Sequence, residues 1–121
     1  MPFDGRGYEE RSDALDKIDE VIALLATKGK WCQRAMQTWD GRRCLLGAMK
    51  AADAERVLVA PVLRAIQEVT GITYRRIEQF NDHPATSHAL VLRVLHQARE
   101  NIRTAAVRRE APTSSIPTLA W

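Results

Sequence analysis

Apolar residues recur at spacings of three and four along most of the chain, and short polar or turn-rich stretches separate the runs. Leu15, Ile18, Ile22 and Leu25 make the first stripe, which is the pattern of a helix burying one face. Ser12 precedes it as a capping hydroxyl, Asp13 and Asp16 suit its positive end, Lys28 suits its negative end, and Gly29 is a natural stop. Residues 44–53 return to helical composition with Leu45, Leu46, Ala48, Met49, Ala51 and Ala52. Pro61 fits the first turn of the next helix, where its missing amide costs nothing, and Val62, Leu63, Ile66 and Val69 supply an apolar face that stops at Gly71. Thr73 then caps a short helix carrying Tyr74, Ile77 and Phe80, ended by Asn81-Asp82. Pro84 blocks its continuation, and Thr86 or Ser87 caps a long final helix. In that helix Leu90, Val91, Val94, Leu95, Ala98 and Ile102 face inward while Arg93, Arg99 and Arg103 face water.

Residues 30–43 break the periodicity. Trp31, Gln33, Thr38 and Trp39 are poor helix material, and Asp40-Gly41 is a turn signal between two short extended runs. A small hairpin or an ordered loop is expected there. The whole therefore reads as all-α: a compact single-domain bundle of about five helices with a small irregular or hairpin insertion between helices 1 and 2. Residues 1–11, with two Gly and a Pro, read as a flexible lead-in to a helical domain over 12–110, and residues 111–121 as a C-terminal tail. The tail ends in Trp121, which either folds back or anchors a partner.

Length and composition narrow the classes. A chain of 121 residues is one domain, and 45% apolar with 27% charged residues excludes wholesale disorder. No apolar run approaches the roughly 20 residues of a membrane span. The polar start lacks the apolar core of a signal peptide, so a cytoplasmic setting without membrane association is expected. Two cysteines twelve positions apart make neither a disulfide scaffold nor a zinc site. No metal or cofactor is expected, and Asp82, His83 and His88 do not make a recognisable ligand set. The net charge is +3, with 14 of 18 basic residues Arg; residues 1–60 balance to zero and residues 61–121 supply the excess. That permits an anionic partner without requiring one.

Against this background three short patches stand out: Trp31-Cys32-Gln33, then Cys44-Leu45-Leu46-Gly47-Ala48, then residues 80–86, Phe-Asn-Asp-His-Pro-Ala-Thr. Costly or conformationally special residues gather in them. Small residues at Gly47-Ala48 let another backbone approach a helix closely. The order Trp-x-Gln, Cys-x-x-Gly-Ala, aromatic-Asn-Asp-x-Pro-x-Thr resembles a family of small uncharacterised bacterial and phage proteins, with Trp31, Gln33, Cys44, Gly47, Ala48, Asn81, Asp82, Pro84 and Thr86 carrying the match over about residues 12–103. Phe80 stands where that pattern usually has Trp, and the loop before the Thr is one residue short. The resemblance implies a compact, mainly helical domain of phage or mobile-element type and implies no activity.

Three functional readings follow from the residues. The leading one is a non-enzymatic accessory protein acting through a protein partner, with Trp39 and Trp121 as contact residues, since aromatics and Arg anchor interfaces; Trp31, Trp39 and Phe80 can also cluster. An alternative is a helix-turn-helix-like DNA-binding segment over residues 63–80, presenting Tyr74, Arg75, Arg76 and Gln79 to a major groove. Gln67 and Thr70 depart from that motif. A second alternative is cysteine chemistry, with Cys44 at a helix start beside Arg42 and Arg43 favouring thiolate, and His83 with Asp82 as base. Against it, Cys beside Leu-Leu-Gly-Ala is the usual composition of a buried, inert thiol.

Overall fold

A computed structural model describes the backbone of residues 6–110 and the side chains of residues 13–105. It contains five α-helices, α1 (Arg6–Leu25), α2 (Leu45–Ala51), α3 (Glu55–Thr70), α4 (Ile77–Asn81) and α5 (His88–Glu110), with one 3-10 turn at Lys28–Lys30. No β-strand occurs among the described residues. The all-α class and the count of five hold.

The long helix α5 is the spine, packing along both α1 and α3, while short α2 and α4 close one end against each other. Its inward residues Val91, Val94, Leu95 and Ala98 are buried, with Leu90 and Ile102 packed at the margin. They meet Ile18, Val21 and Leu25 of α1, Leu58, Val62, Ala65 and Ile66 of α3, and the almost wholly buried α2. Burying each such side chain contributes about 1.5–3 kcal/mol, so this single apolar cluster dominates stability. Arg99 reaches across to Asp19 of α1 at 2.6 Å on the surface.

Several boundaries differ from the sequence expectation, each for a local reason. Helix α1 already begins at Arg6, so Ser12 lies inside it rather than capping it. It ends at Leu25 rather than near Lys28, because the Leu25 carbonyl is taken by the imidazole Nε2 of His88 at 2.6 Å; Gly29 sits in the following 3-10 turn. Helix α3 starts at Glu55, which puts Pro61 in its interior. Proline there forfeits the bond to the carbonyl of Val57, and Val57 lies on the solvent side, where water can satisfy that carbonyl. Gly71 ends α3 as expected, at φ 80°, with its amide on Gln67 O. Helix α4 starts at Ile77, so Thr73 does not cap it and Tyr74 lies outside it, edge-on to Phe80 at 5.8 Å. Ser87 rather than Thr86 caps α5, its hydroxyl accepting from the Leu90 amide at 3.1 Å.

Candidate functional site

Trp31, Leu45 and Asn81 lie far apart in sequence and meet at one polar atom. Trp31 Nε1 donates to Asn81 Oδ1 at 2.7 Å, and the Leu45 backbone amide donates to the same oxygen at 3.0 Å. Asn81 Nδ2 donates to Cys32 O at 3.2 Å and to Asp82 Oδ1 at 2.9 Å. A side-chain amide offers two acceptor sites and two donors, so Asn81 is saturated. Its orientation is chemically forced: two N–H groups face one end and two oxygens face the other. Asn81 is 0% exposed, and a buried amide of this kind is tolerable only when fully paired.

The surrounding bonds extend the joint. Gln33 Nε2 donates to the carbonyls of Asn81 (2.9 Å) and His83 (3.1 Å), tying the first patch to the backbone of the third. Asp82 Oδ1 also accepts from the Arg34 amide at 2.8 Å, holding Arg34 at φ 67°, a conformation costly for a non-glycine residue. The Thr86 hydroxyl donates to Phe80 O at 2.8 Å, folding the 80–86 turn back on itself. Cys44 caps α2, its Sγ accepting from the Gly47 amide at 3.2 Å. Gly47 in turn lets the insertion pass: a Cβ there would sit 2.1 Å from Met36 O. Among the described residues no buried side-chain polar atom lacks a partner.

This geometry bears directly on cysteine chemistry. Cys44 is 4% exposed, and burial pushes its thiol above the ordinary value, against a smaller opposing pull from the Gly47 and Leu46 amides. Desolvation thus outweighs the amides of the helix start, and the Asp82 charge adds to it, opposite to the thiolate expected from sequence. Its Sγ faces Met36 Sδ at 4.0 Å. His83 is exposed and uses Nδ1 to accept from the Ala85 amide at 3.0 Å. Among the described residues no hydrogen bond links Cys44 to His83. Asp82 serves as a loop acceptor, as above. Nor does any group of three or more His, Cys, Asp or Glu among the described residues assemble as a metal-ion site.

The segment proposed to enter DNA is likewise not a recognition helix. α4 is five residues long, and Arg75 and Arg76 precede it as exposed loop residues. Gln79 Oε1 accepts from the Arg76 amide at 3.3 Å, and Arg76 lies 4.0 Å from Glu78. Tyr74 is half-buried on Phe80.

Trp39 behaves unlike either of these groups. It is 98% exposed and does not join Trp31 and Phe80, although a tryptophan left in water forgoes roughly 4 kcal/mol of burial. Its turn is nonetheless well held. Thr38 N donates to Arg42 O at 2.8 Å, Arg42 N to Thr38 Oγ1 at 3.0 Å, and Gly41 N to Thr38 O at 3.0 Å. Asp40 accepts from the Thr38 hydroxyl and pairs with Arg42 at 3.3 Å, and these contacts hold its carboxyl below the usual range. Gly41, at φ 90°, makes the reversal, as Asp40-Gly41 foretold. At the base, single β-bridges join Arg43 to Gln37 and to Trp31. Trp121 lies outside the described residues.

The sequence reading missed Asn81 as a hub and missed the local charge. The first had a signal in the fixed order of the three patches. The second was hidden by counting in halves: residues 28–43 carry five basic side chains against one acidic, and residues 1–27 three basic against seven acidic. No helix among the described residues is long and apolar enough to cross a membrane. The model of a family described as a family of unknown function, DUF6197, matches residues 9–101. No curated protein and no solved structure matches the chain.

Proposed function

The chain belongs to the DUF6197 family of unknown function, and we propose that it is a non-catalytic interaction module that engages a protein partner through the Trp39 turn. The observation that carries the reading is the pairing of an almost fully exposed tryptophan with a turn held by its own hydrogen bonds. A stiff turn loses little conformational entropy when it docks, and tryptophan is the residue type most enriched among interface hot spots. Met36, 45% exposed, adds an apolar neighbour at the base of the same turn. On this reading the Asn81 joint is the scaffold: it fixes the insertion to α2 and α4 so that Trp39 is presented in one place.

The test compares proteins retained from the native host's lysate by the immobilised wild type and by Trp39→Ala. Truncating a tryptophan hot spot costs about 2 kcal/mol or more, roughly thirtyfold in affinity. The expected outcome is a partner held by the wild type and lost by the variant, with both melting at the same temperature. Identical retention by the two proteins would overturn the proposal.

A further inference from the structure

We infer that the partner surface docking on the Trp39 turn is an acidic protein segment, one carrying several Asp or Glu side chains around an apolar pocket for the indole. The inference rests on the interaction reading above and adds the partner's chemistry. Its ground is where the charge sits. Lys28, Lys30, Arg34, Arg42 and Arg43 fall within sixteen consecutive residues with Asp40 as the single acid, giving that segment a net charge larger than the whole chain's +3. Lys28, Lys30, Arg34 and Arg42 are exposed.

Backbone bonds hold these charges close to the tryptophan. The Arg43 amide donates to Lys30 O at 2.8 Å and the Cys32 amide to Arg43 O at 3.0 Å, so the lysine turn and the base of the Trp39 turn are stitched together. Asp40, the one acid, is occupied by Thr38 and Arg42. Beside the base lies an open groove of about 460 Å³ lined by Met36, Gln37, Arg43, Gly47, Lys50 and Ala51, a mixed polar and apolar surface that adds one further cation, Lys50, which is paired with Glu55 at 3.0 Å. A surface of this sign steers and selects an oppositely charged partner and rejects a basic one. Single-stranded nucleic acid is also anionic, but its sequence-independent binding uses successive stacking platforms. Here Trp39 stands alone: Trp31 is tied to Asn81, and Tyr74 packs on Phe80.

The experiment selects random dodecapeptides displayed on phage against the immobilised full chain at low salt, then measures the enriched peptides on wild type, Trp39→Ala and Lys28→Glu/Lys30→Glu. The double reversal brings the segment to three acidic against three basic side chains, and its melting temperature is checked against wild type. The expected result is enrichment of Asp- and Glu-rich peptides whose affinity falls at least about tenfold in either variant, the charge-reversal loss closing near about 0.5 M salt while the Trp39 loss persists. Peptides of neutral or basic composition that still need Trp39 would overturn the acidic partner and leave the docking reading standing. Peptides indifferent to Trp39→Ala, or no enrichment at all, would overturn both. An oligothymidylate that binds more tightly than any peptide, with the same dependence on Trp39, would replace the protein partner with nucleic acid.

Discussion

Replacing Asn81 by alanine should unpick the joint at its centre. The change deletes four hydrogen bonds and strands their partners: the Trp31 indole N–H, the Leu45 amide, the Cys32 carbonyl and one contact of Asp82. Asp82 is half-exposed and also holds the Arg34 amide, so water can replace its lost contact at little cost. The Leu45 bond is wholly buried and the Trp31 bond partly so. An unsatisfied buried group costs about 1–3 kcal/mol, so the three remaining groups together suggest about 4 kcal/mol. Domains of this size have about 5–15 kcal/mol in total, and about 4 °C per kcal/mol gives a fall of roughly 16 °C in Tm. Urea unfolding followed by far-ultraviolet circular dichroism reads the change directly. Asn81→Asp is the informative companion: it keeps both acceptor sites but turns the donor end into a carboxylate facing Cys32 O and Asp82 Oδ1. It should be at least as unstable at neutral pH. Burial and the neighbouring acid raise that carboxyl's folded pKa above its unfolded value, so part of the stability should return as pH falls through the folded value. A loss under about 1 kcal/mol for Asn81→Ala would refute the argument, because no stranded buried donor could then be present.

Gly47→Ala should cost about 3 kcal/mol or prevent folding, since the new Cβ meets backbone oxygen Met36 O at 2.1 Å rather than a movable side chain; a thermal melt decides it. Burial raises the thiol pKa of both Cys32 and Cys44, with Cys44 adding to the shift at Cys32. The stability this represents is complete below the ordinary thiol value and is lost as pH rises through the folded one, so the urea midpoint should fall above about pH 9, and fall less in Cys32→Ala/Cys44→Ser. A thiol reagent at neutral pH should label neither cysteine of the native protein on the timescale of denatured controls; rapid native labelling of Cys44 would reopen the cysteine-chemistry reading. His88→Ala should cost about 1–2 kcal/mol by freeing the Leu25 carbonyl at the end of α1, measurable as a lowered urea midpoint.

What could be read from the sequence was whatever has a local cause. The apolar stripe of α5, the Cys44 start of α2, the Asp40-Gly41 reversal and the Gly71 stop each depend on neighbours a few positions away, and all appear in the structure. Pro61 misled because its cost depends on whether the orphaned carbonyl meets water, a tertiary fact about Val57. The Lys28-Gly29 end of α1 misled because the true stop is made by His88, far along the chain. Asn81-Asp82 read correctly as a helix end, yet its four side-chain bonds depend on backbone brought in from α2 and the insertion. Trp39 reads both as a contact residue and as a candidate for a cluster with Trp31 and Phe80, because nothing local shows whether its turn points away from the bundle; the structure leaves it 98% exposed. The charge of residues 28–43 was in the sequence throughout and needed only a finer division of the chain to be seen.

Hydrogen exchange of the indole N–H groups, followed by NMR and assigned with Trp31→Phe and Trp39→Phe, separates scaffold from contact point in one spectrum. A joint built on Asn81 with a free tip should protect the Trp31 Nε1–H strongly while the Trp39 Nε1–H exchanges at the rate of an open indole. Equal rates at the two positions, or a protected Trp39 in the isolated protein, would contradict it.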